Sequence, residues 1–217
     1  MPNGKLLGLS RLVARDRPFL WFLLLIVLLV LIWSGHEPKD RFTWFLEVLP
    51  VLIGLPLLLL TYRAFPFTGL AYGLMALHAV ILMIGGHYTY SEMPLFEWLQ
   101  AEFGWARNHY DRVGHVAQGL VPAILAREIL LRTSPLRPGK WLTFLVLCVA
   151  LSISVFYEFL EWWVAIASGD EAVAFLATQG DVWDTQWDML LALLGALAAV
   201  LLLSGVHNRQ LRRRGFL

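Results

Sequence analysis

The chain has 217 residues, 59% of them hydrophobic and 15% charged, with a formal net charge of +1 and a mean hydropathy of +0.65. Such a chain is too apolar for the soluble globular class and reads as a polytopic, all-α membrane protein forming one transmembrane domain over residues 1–217. Membrane lipids are the expected partners and nucleic acid is not. The one cysteine, Cys148, lies in an apolar run, cannot form an intrachain disulfide, and is expected to be a buried, inert thiol.

Crossing a bilayer takes roughly 20 residues of helix. Six segments qualify: residues 18–35, 43–62, 68–88, 111–131, 141–166 and 185–205. The first follows Lys5, Arg11, Arg15 and Arg17, as a secretory signal would. Its run ends Ile32-Trp33-Ser34-Gly35-His36 without a small-x-small cleavage site, so it is read as a retained span. The second carries Pro50, Gly54 and Pro56, which predict a bend. Before the fourth, Pro94 suits a helix start, and Leu95, Phe96, Leu99 and Phe103 recur at helical spacing, predicting a short interfacial helix on the outer side. Another is expected from Asp170 to Thr178, ended by Gly180.

The basic residues orient the chain. With the amino terminus in the cytoplasm, the inner side holds Lys5, Arg11, Arg15, Arg17, Arg63, Arg127, Arg132, Arg137, Lys140, Arg209, Arg212, Arg213 and Arg214. Only Lys39, Arg41, Arg107 and Arg112 remain outside. Thirteen against four orients the six transmembrane helices N-in and C-in. Among the acidic residues only Asp16 and Glu128 fall inside, so the outer face is acidic.

That orientation gathers the chemistry at one level. Asp111 and His115 stand four apart, on one face of a helix. Glu158 and Glu161 lie at the outer end of the fifth span, and Asp184 and Asp188 at the outer start of the sixth. The helical rise puts Asp111 and Asp184 near the headgroups, His115, Glu161 and Asp188 roughly 6 Å inside, and Glu158 roughly 10 to 12 Å inside. Gln118 continues the Asp111–His115 stripe, Ser154 lies one turn below Glu158, and the Asp184–Asp188 face runs on through Ala192, Gly195 and Ala199, small residues that let a neighbour approach.

Five carboxylates beside one arginine, Arg112, cannot all stay ionised at the edge of a hydrocarbon layer without cations. Either some hold a proton or a metal ion neutralises them. An imidazole with several carboxylates suits a divalent ion such as zinc, manganese or magnesium, with Asp111, His115, Glu158, Asp184 and Asp188 as the ligand set and His87 as an additional candidate. Glu158 and Glu161 are the catalytic candidates. Plainer roles are open to each group: helix capping for Asp111 and Asp184, snorkelling for Arg112, packing for His78, and an aromatic belt for the tryptophans. Glu158 stands apart because a carboxylate deep in a span is costly.

The motifs Asp111-Arg112-Val113-Gly114-His115, Tyr157-Glu158-Phe159-Leu160-Glu161-Trp162 and Gly180-Asp181-Val182-Trp183-Asp184-Thr185-Gln186-Trp187-Asp188-Met189 resemble the YjdF family of bacterial inner-membrane proteins over nearly the whole chain. The resemblance implies a multi-pass protein of the inner membrane and carries no biochemical activity with it. A weaker likeness is to VanZ-like membrane proteins, which pair Asp-Lys-x-x-His with a later glutamate and an Asp-x-x-x-Asn. Here Arg112 replaces the lysine and Asp188 the asparagine.

Three functions fit these residues. The first is a metal-dependent enzyme acting on a lipid or lipid-linked headgroup at the outer leaflet; the others are an ion-coupled carrier gated by the acidic cluster and a non-catalytic scaffold. No Gly-x-Ser-x-Gly elbow or phosphate-cradling loop supports serine-hydrolase or nucleotide chemistry.

Overall fold

The computed structural model describes residues 3–169 and 173–217, with side chains described from Asp16 onward except at 170–174. Its helices are α1 (Asn3–Gly35), α2 (Arg41–Thr61), α3 (Gly69–Tyr88), α4 (Pro94–Phe103), α5 (Tyr110–Thr133), α6 (Lys140–Ser168), α7 (Val173–Leu176), α8 (Asp184–Ala198) and α9 (Ser204–Arg213). A 3-10 turn at Tyr90–Glu92 precedes α4, and a π-helical turn at Ala199–Leu203 joins α8 to α9 into one rod.

Among the described residues five helices are long and apolar enough to cross a membrane: Asp16–Gly35, Arg41–Thr61, Gly69–Tyr88, Lys140–Ser168 and Asp184–Arg213. The remaining expected span, residues 111–131, is helical as α5. Asp111, Arg112, His115, Gln118, Arg127, Glu128 and Arg132 lower its hydropathy, and most of these side chains are buried among the other helices. Large apolar side chains such as Trp21, Ile32, Leu60, Trp141 and Leu202 stay exposed around the bundle, a surface that belongs against lipid. Cys148 is on that surface too. The expectation of a buried thiol fails because α6 is apolar nearly all round, so hydropathy alone does not tell its packed stripe from its outer face.

Local sequence explains the element ends. The Asp40 side chain accepts from Thr43 N (2.6 Å) at the start of α2, and Thr68 caps α3 by accepting from Ala71 N. Pro94 occupies the first turn of α4, and Gly104, at φ +63°, ends it in the left-handed conformation that glycine adopts without strain. Of the second short helix expected over 170–178, the described residues show one turn, α7, which stops before Ala177 (φ +48°) rather than running on to Gly180, and residues 170–172 lie outside the described ones.

At the core, α5 packs on α3, α6 and α8, with its closest approach to α8. A Cβ at Gly119 would overlap the Ala192 carbonyl oxygen, and one at Gly195 would overlap that of Val116. The predicted small-residue stripe on the last span is therefore a contact face, although α5 rather than α8 is the most enclosed helix.

At the end that carries the termini, α5 and α9 are joined through buried polar groups. Glu128 accepts from Thr68 Oγ1 (2.8 Å), Arg132 Nη1 (2.9 Å) and His207 Nε2 (3.1 Å), while Arg127 donates to His207 Nδ1 (3.0 Å) and Asn208 Oδ1 (2.6 Å). Arginine can only donate, so His207 accepts at Nδ1 and donates from Nε2. Arg132 also lies over the rings of Phe65 and Phe216 (3.5 and 4.1 Å), fastening the carboxyl-terminal tail.

The α5–α8 contact is directly testable. Gly119→Ala and Gly195→Ala are each expected to destabilise by about 1–3 kcal/mol, lowering the thermal midpoint in detergent by about 2–12 °C. Gly54→Ala, whose Cβ would meet nothing within 4 Å, should leave the midpoint unchanged or slightly higher.

Candidate functional site

The end of the bundle opposite the termini gathers the predicted residues. Asp111, His115, Glu158, Asp184 and Asp188 are all buried, from three different helices. His115 is at the centre. Its Nε2 lies 3.3 Å from Asp111 Oδ1 and 3.7 Å from Asp188 Oδ1, and its Nδ1 lies 2.8 Å from Gln118 Oε1 and 3.9 Å from Glu158 Oε1. Because the Gln118 oxygen can only accept, Nδ1 carries a proton and Nε2 is turned toward the two aspartates. Asp111, His115 and Asp188 each offer one ligand atom, and these atoms lie within 4.8 Å of one another. This buried Asp-His-Asp group could hold a metal ion.

Glu161 is half-buried one turn beyond Glu158 and close enough to Glu158, His115 and Asp111 to couple to them electrostatically. Asp184 belongs to the same acidic group but is turned to an arginine. That arginine is Arg107, not Arg112 as expected. Buried in the loop before α5, Arg107 pairs with Asp184, approaches Asp111 Oδ2 (3.5 Å) and Asp181 Oδ2 (3.6 Å), and donates to the Ala177 carbonyl oxygen (3.2 Å). Arg112 is more exposed, 3.4 Å from Asp181 and over the Trp187 ring.

Three further expectations are corrected. Asp111 and Asp184 do not cap their helices: the cap positions are His109 and Trp183, and neither makes a side-chain cap bond. Both aspartates are buried beneath the loops before α5 and before α8. His87 is outside the site, with Nδ1 donating to Ser34 O (3.0 Å) and its ring against Trp33.

The cover is built from bonds between separate loops. Asn108 N donates to Gln179 Oε1 (2.8 Å), Gln179 Nε2 returns a bond to Asn108 O (2.9 Å), and Asn108 Nδ2 holds Met93 O (3.1 Å). Ala177 and Gln179 adopt φ of +48° and +51°. Non-glycine residues rarely take such values without compensation, and here the reward is a carbonyl aimed at Arg107. Beside the cover, His109 is held below its ordinary pKa by burial and then by Arg112 and Arg107.

Two residues absent from the sequence reading complete the site. Glu47 of α2 is buried and close enough to Asp111 and His115 to interact with their charges. It lies beside the phenols of Tyr90 and Tyr157. The rule that singles out Glu158, an acid inside an apolar span, singles out Glu47 equally. Tyr90 fits against Gly85 and Gly114, where a Cβ would meet its ring, and burial followed by the Glu47 charge raises its pKa well above the ordinary phenol value. Several buried polar atoms here have no hydrogen-bond partner: Tyr90 OH, Ser154 Oγ, Tyr157 OH, Glu158 Oε1 and Asp188 Oδ1. Buried polar atoms are normally satisfied, and this group borders His115.

A family described as "Predicted membrane protein (DUF2238)" matches residues 19–209. This chain belongs to that family. It is 53% identical over 189 residues to the inner membrane protein YjdF of Escherichia coli (strain K12), covering 87% of this chain and 90% of the relative. No solved structure matches. The chain is a multi-pass protein of the bacterial inner membrane.

Arg107 and Arg112 should respond differently to neutralisation. Arg107→Gln leaves Asp111 and Asp184 buried without their counter-charge and is expected to cost about 3–5 kcal/mol. Arg112→Gln should cost about 1 kcal/mol or less. Thermal melts of both variants in the same detergent compare them, and similar losses would contradict the assignment.

Proposed function

We propose that the chain is a divalent-metal-dependent enzyme acting on a lipid or lipid-linked headgroup at the outer leaflet of the inner membrane. The observation that carries this reading is the buried Asp111–His115–Asp188 group, whose ligand atoms lie within 4.8 Å of one another. The unpartnered oxygens of Glu158 and Asp188 beside it support the reading. One imidazole with several carboxylates is a donor set for zinc or manganese, and for magnesium through the carboxylates alone.

Asp111, His115 and Asp188 hold the ion in this reading, with Glu158 within reach of His115 as a further ligand. Gln118 fixes the imidazole from behind by accepting from Nδ1, the usual outer-shell arrangement for a ligating histidine. Arg107 pairs with Asp184 and approaches Asp111, supplying the positive charge on that side of the group. Glu158 or Glu161 takes the proton from an attacking water as general base. A bound divalent cation supplies Lewis acidity toward a phosphoryl or carbonyl oxygen.

Six spans with both termini in the cytoplasm accompany this proposal, and the basic-residue asymmetry supports them. That topology places the acidic group at the periplasmic side. A carrier is less well supported, because Val121, Ile124, Val146 and Ala150 form a buried apolar layer between the His115 group and the Glu128 network. The scaffold reading expects carboxylates satisfied by neighbouring donors, whereas Glu158 Oε1 and Asp188 Oδ1 lack partners.

Elemental analysis of protein purified without chelator should find about one zinc or manganese per chain. His115→Gln and Asp188→Asn should each lower metal affinity at least tenfold. Metal should also be lost as pH falls, since the ligands must shed protons to bind. No metal in the wild type after supplementation with zinc, manganese and magnesium would end the proposal.

Topology has its own assay. Reporters fused after Leu217 should be active only in the cytoplasm, and reporters placed at Gly104 only in the periplasm. The reverse pattern would invert the site and remove the outer-leaflet reading.

A further inference from the structure

Between α1 and α2, floored by α3 and one side of α5, runs a cavity of about 600 Å³ open along its flank. It exists because α1 and α2 each lean mainly on α3. Gly54 also contributes no side chain to it, since a Cβ there would meet nothing within 4 Å. Its wall is hydrocarbon along most of its length, with His78 the one titratable group at mid-depth.

The termini end of this groove is different. Arg17 and Arg63 line it there, with Tyr62 and Tyr72 beside them, and among the described residues no acidic one belongs to the lining. Both arginines are exposed, and neither forms an ion pair among the described residues. Asp16, next to Arg17 in sequence, is occupied by Arg214 (2.6 Å). From Val51 to Tyr62 the α2 wall is about 16 Å long, close to half of the roughly 30 Å hydrocarbon core of a bilayer. An apolar channel one leaflet long with two unpaired cations at its mouth matches an anionic amphiphile in both length and charge.

We propose that this groove is a binding site for an anionic glycerophospholipid, one acyl chain lying along α2 past Gly54 and the phosphate held by Arg17 and Arg63. The site is separate from the His115 group, because its cationic mouth is at the opposite end of the bundle. The lipid it holds is therefore a resident of the leaflet on the termini side, and its retention does not depend on the metal reading above.

Native mass spectrometry of the full chain tests this, after exposure in neutral detergent to dioleoyl phosphatidylglycerol or dioleoyl phosphatidylethanolamine. One phosphatidylglycerol per chain should be retained and phosphatidylethanolamine should not. Arg17→Gln with Arg63→Gln should reduce phosphatidylglycerol retention at least tenfold, and Gly54→Phe, which places a ring in the groove, should do the same while leaving both arginines intact. Equal retention of the two lipids, or undiminished retention in the double arginine variant, overturns the proposal. Should Gly54→Phe not fold, the arginine pair, being exposed, decides the matter alone.

Discussion

Two backbone contacts govern the arrangement: the Ala192 carbonyl stands where Gly119 would carry a Cβ, and the Val116 carbonyl stands where Gly195 would carry one. Helices that meet backbone to backbone bring short side chains on either side within a few ångströms. That is how Asp188, two turns before Gly195, comes within 3.7 Å of His115, one turn before Gly119. Carboxylates forced so close repel, so the small-residue contact has to oppose electrostatic separation as well as fill space. Lipid offers no hydrophobic drive for helices to associate, which makes such packing contacts the main adhesive available.

The loops complete what the helices begin. Arg107 is presented by a loop, and the Ala177 carbonyl that orients it comes from a segment with left-handed residues at Ala177 and Gln179. Conformations of that kind cost about 1–3 kcal/mol each, here offset by the paired bonds between Asn108 and Gln179. The consequence is a division of labour within the acidic group. Asp184 and Asp111 are matched by a fixed guanidinium, while Glu158 of α6 and Asp188 of α8 retain unpartnered oxygens around the imidazole.

Much of this was legible in the chain because membranes impose strong rules. Long apolar runs located the helices, and the order of the spans already implied that Asp111, His115, Glu158, Glu161, Asp184 and Asp188 belong to one end of the bundle. What escaped depended on phase or on loop path. Cys148 belongs to a helix apolar on nearly all sides, so periodicity carries no information about which side packs. Arg107 and Arg112 both flank the helix start, and only the path of the loop decides which one turns inward. His87 ends its helix at the right level but faces α1. Arg127, Arg132 and Arg214 served as topology signals in the sequence and are also structural partners, Arg127 of His207 and Asn208, Arg132 of Glu128 and the Pro66 carbonyl, and Arg214 of Asp16 and the Phe67 carbonyl.

The π turn at Ala199–Leu203 has a bearing on both ends of the protein. A wider turn advances the inward-facing stripe by about one residue relative to a continuous α-helix. Past it, His207 and Leu211 are buried while Val206 is exposed to the surroundings. The last rod is thus indexed twice, once for the aspartates near its beginning and once for the histidine near its finish, and that single irregularity reconciles two polar clusters that one uninterrupted helix would not have aligned together.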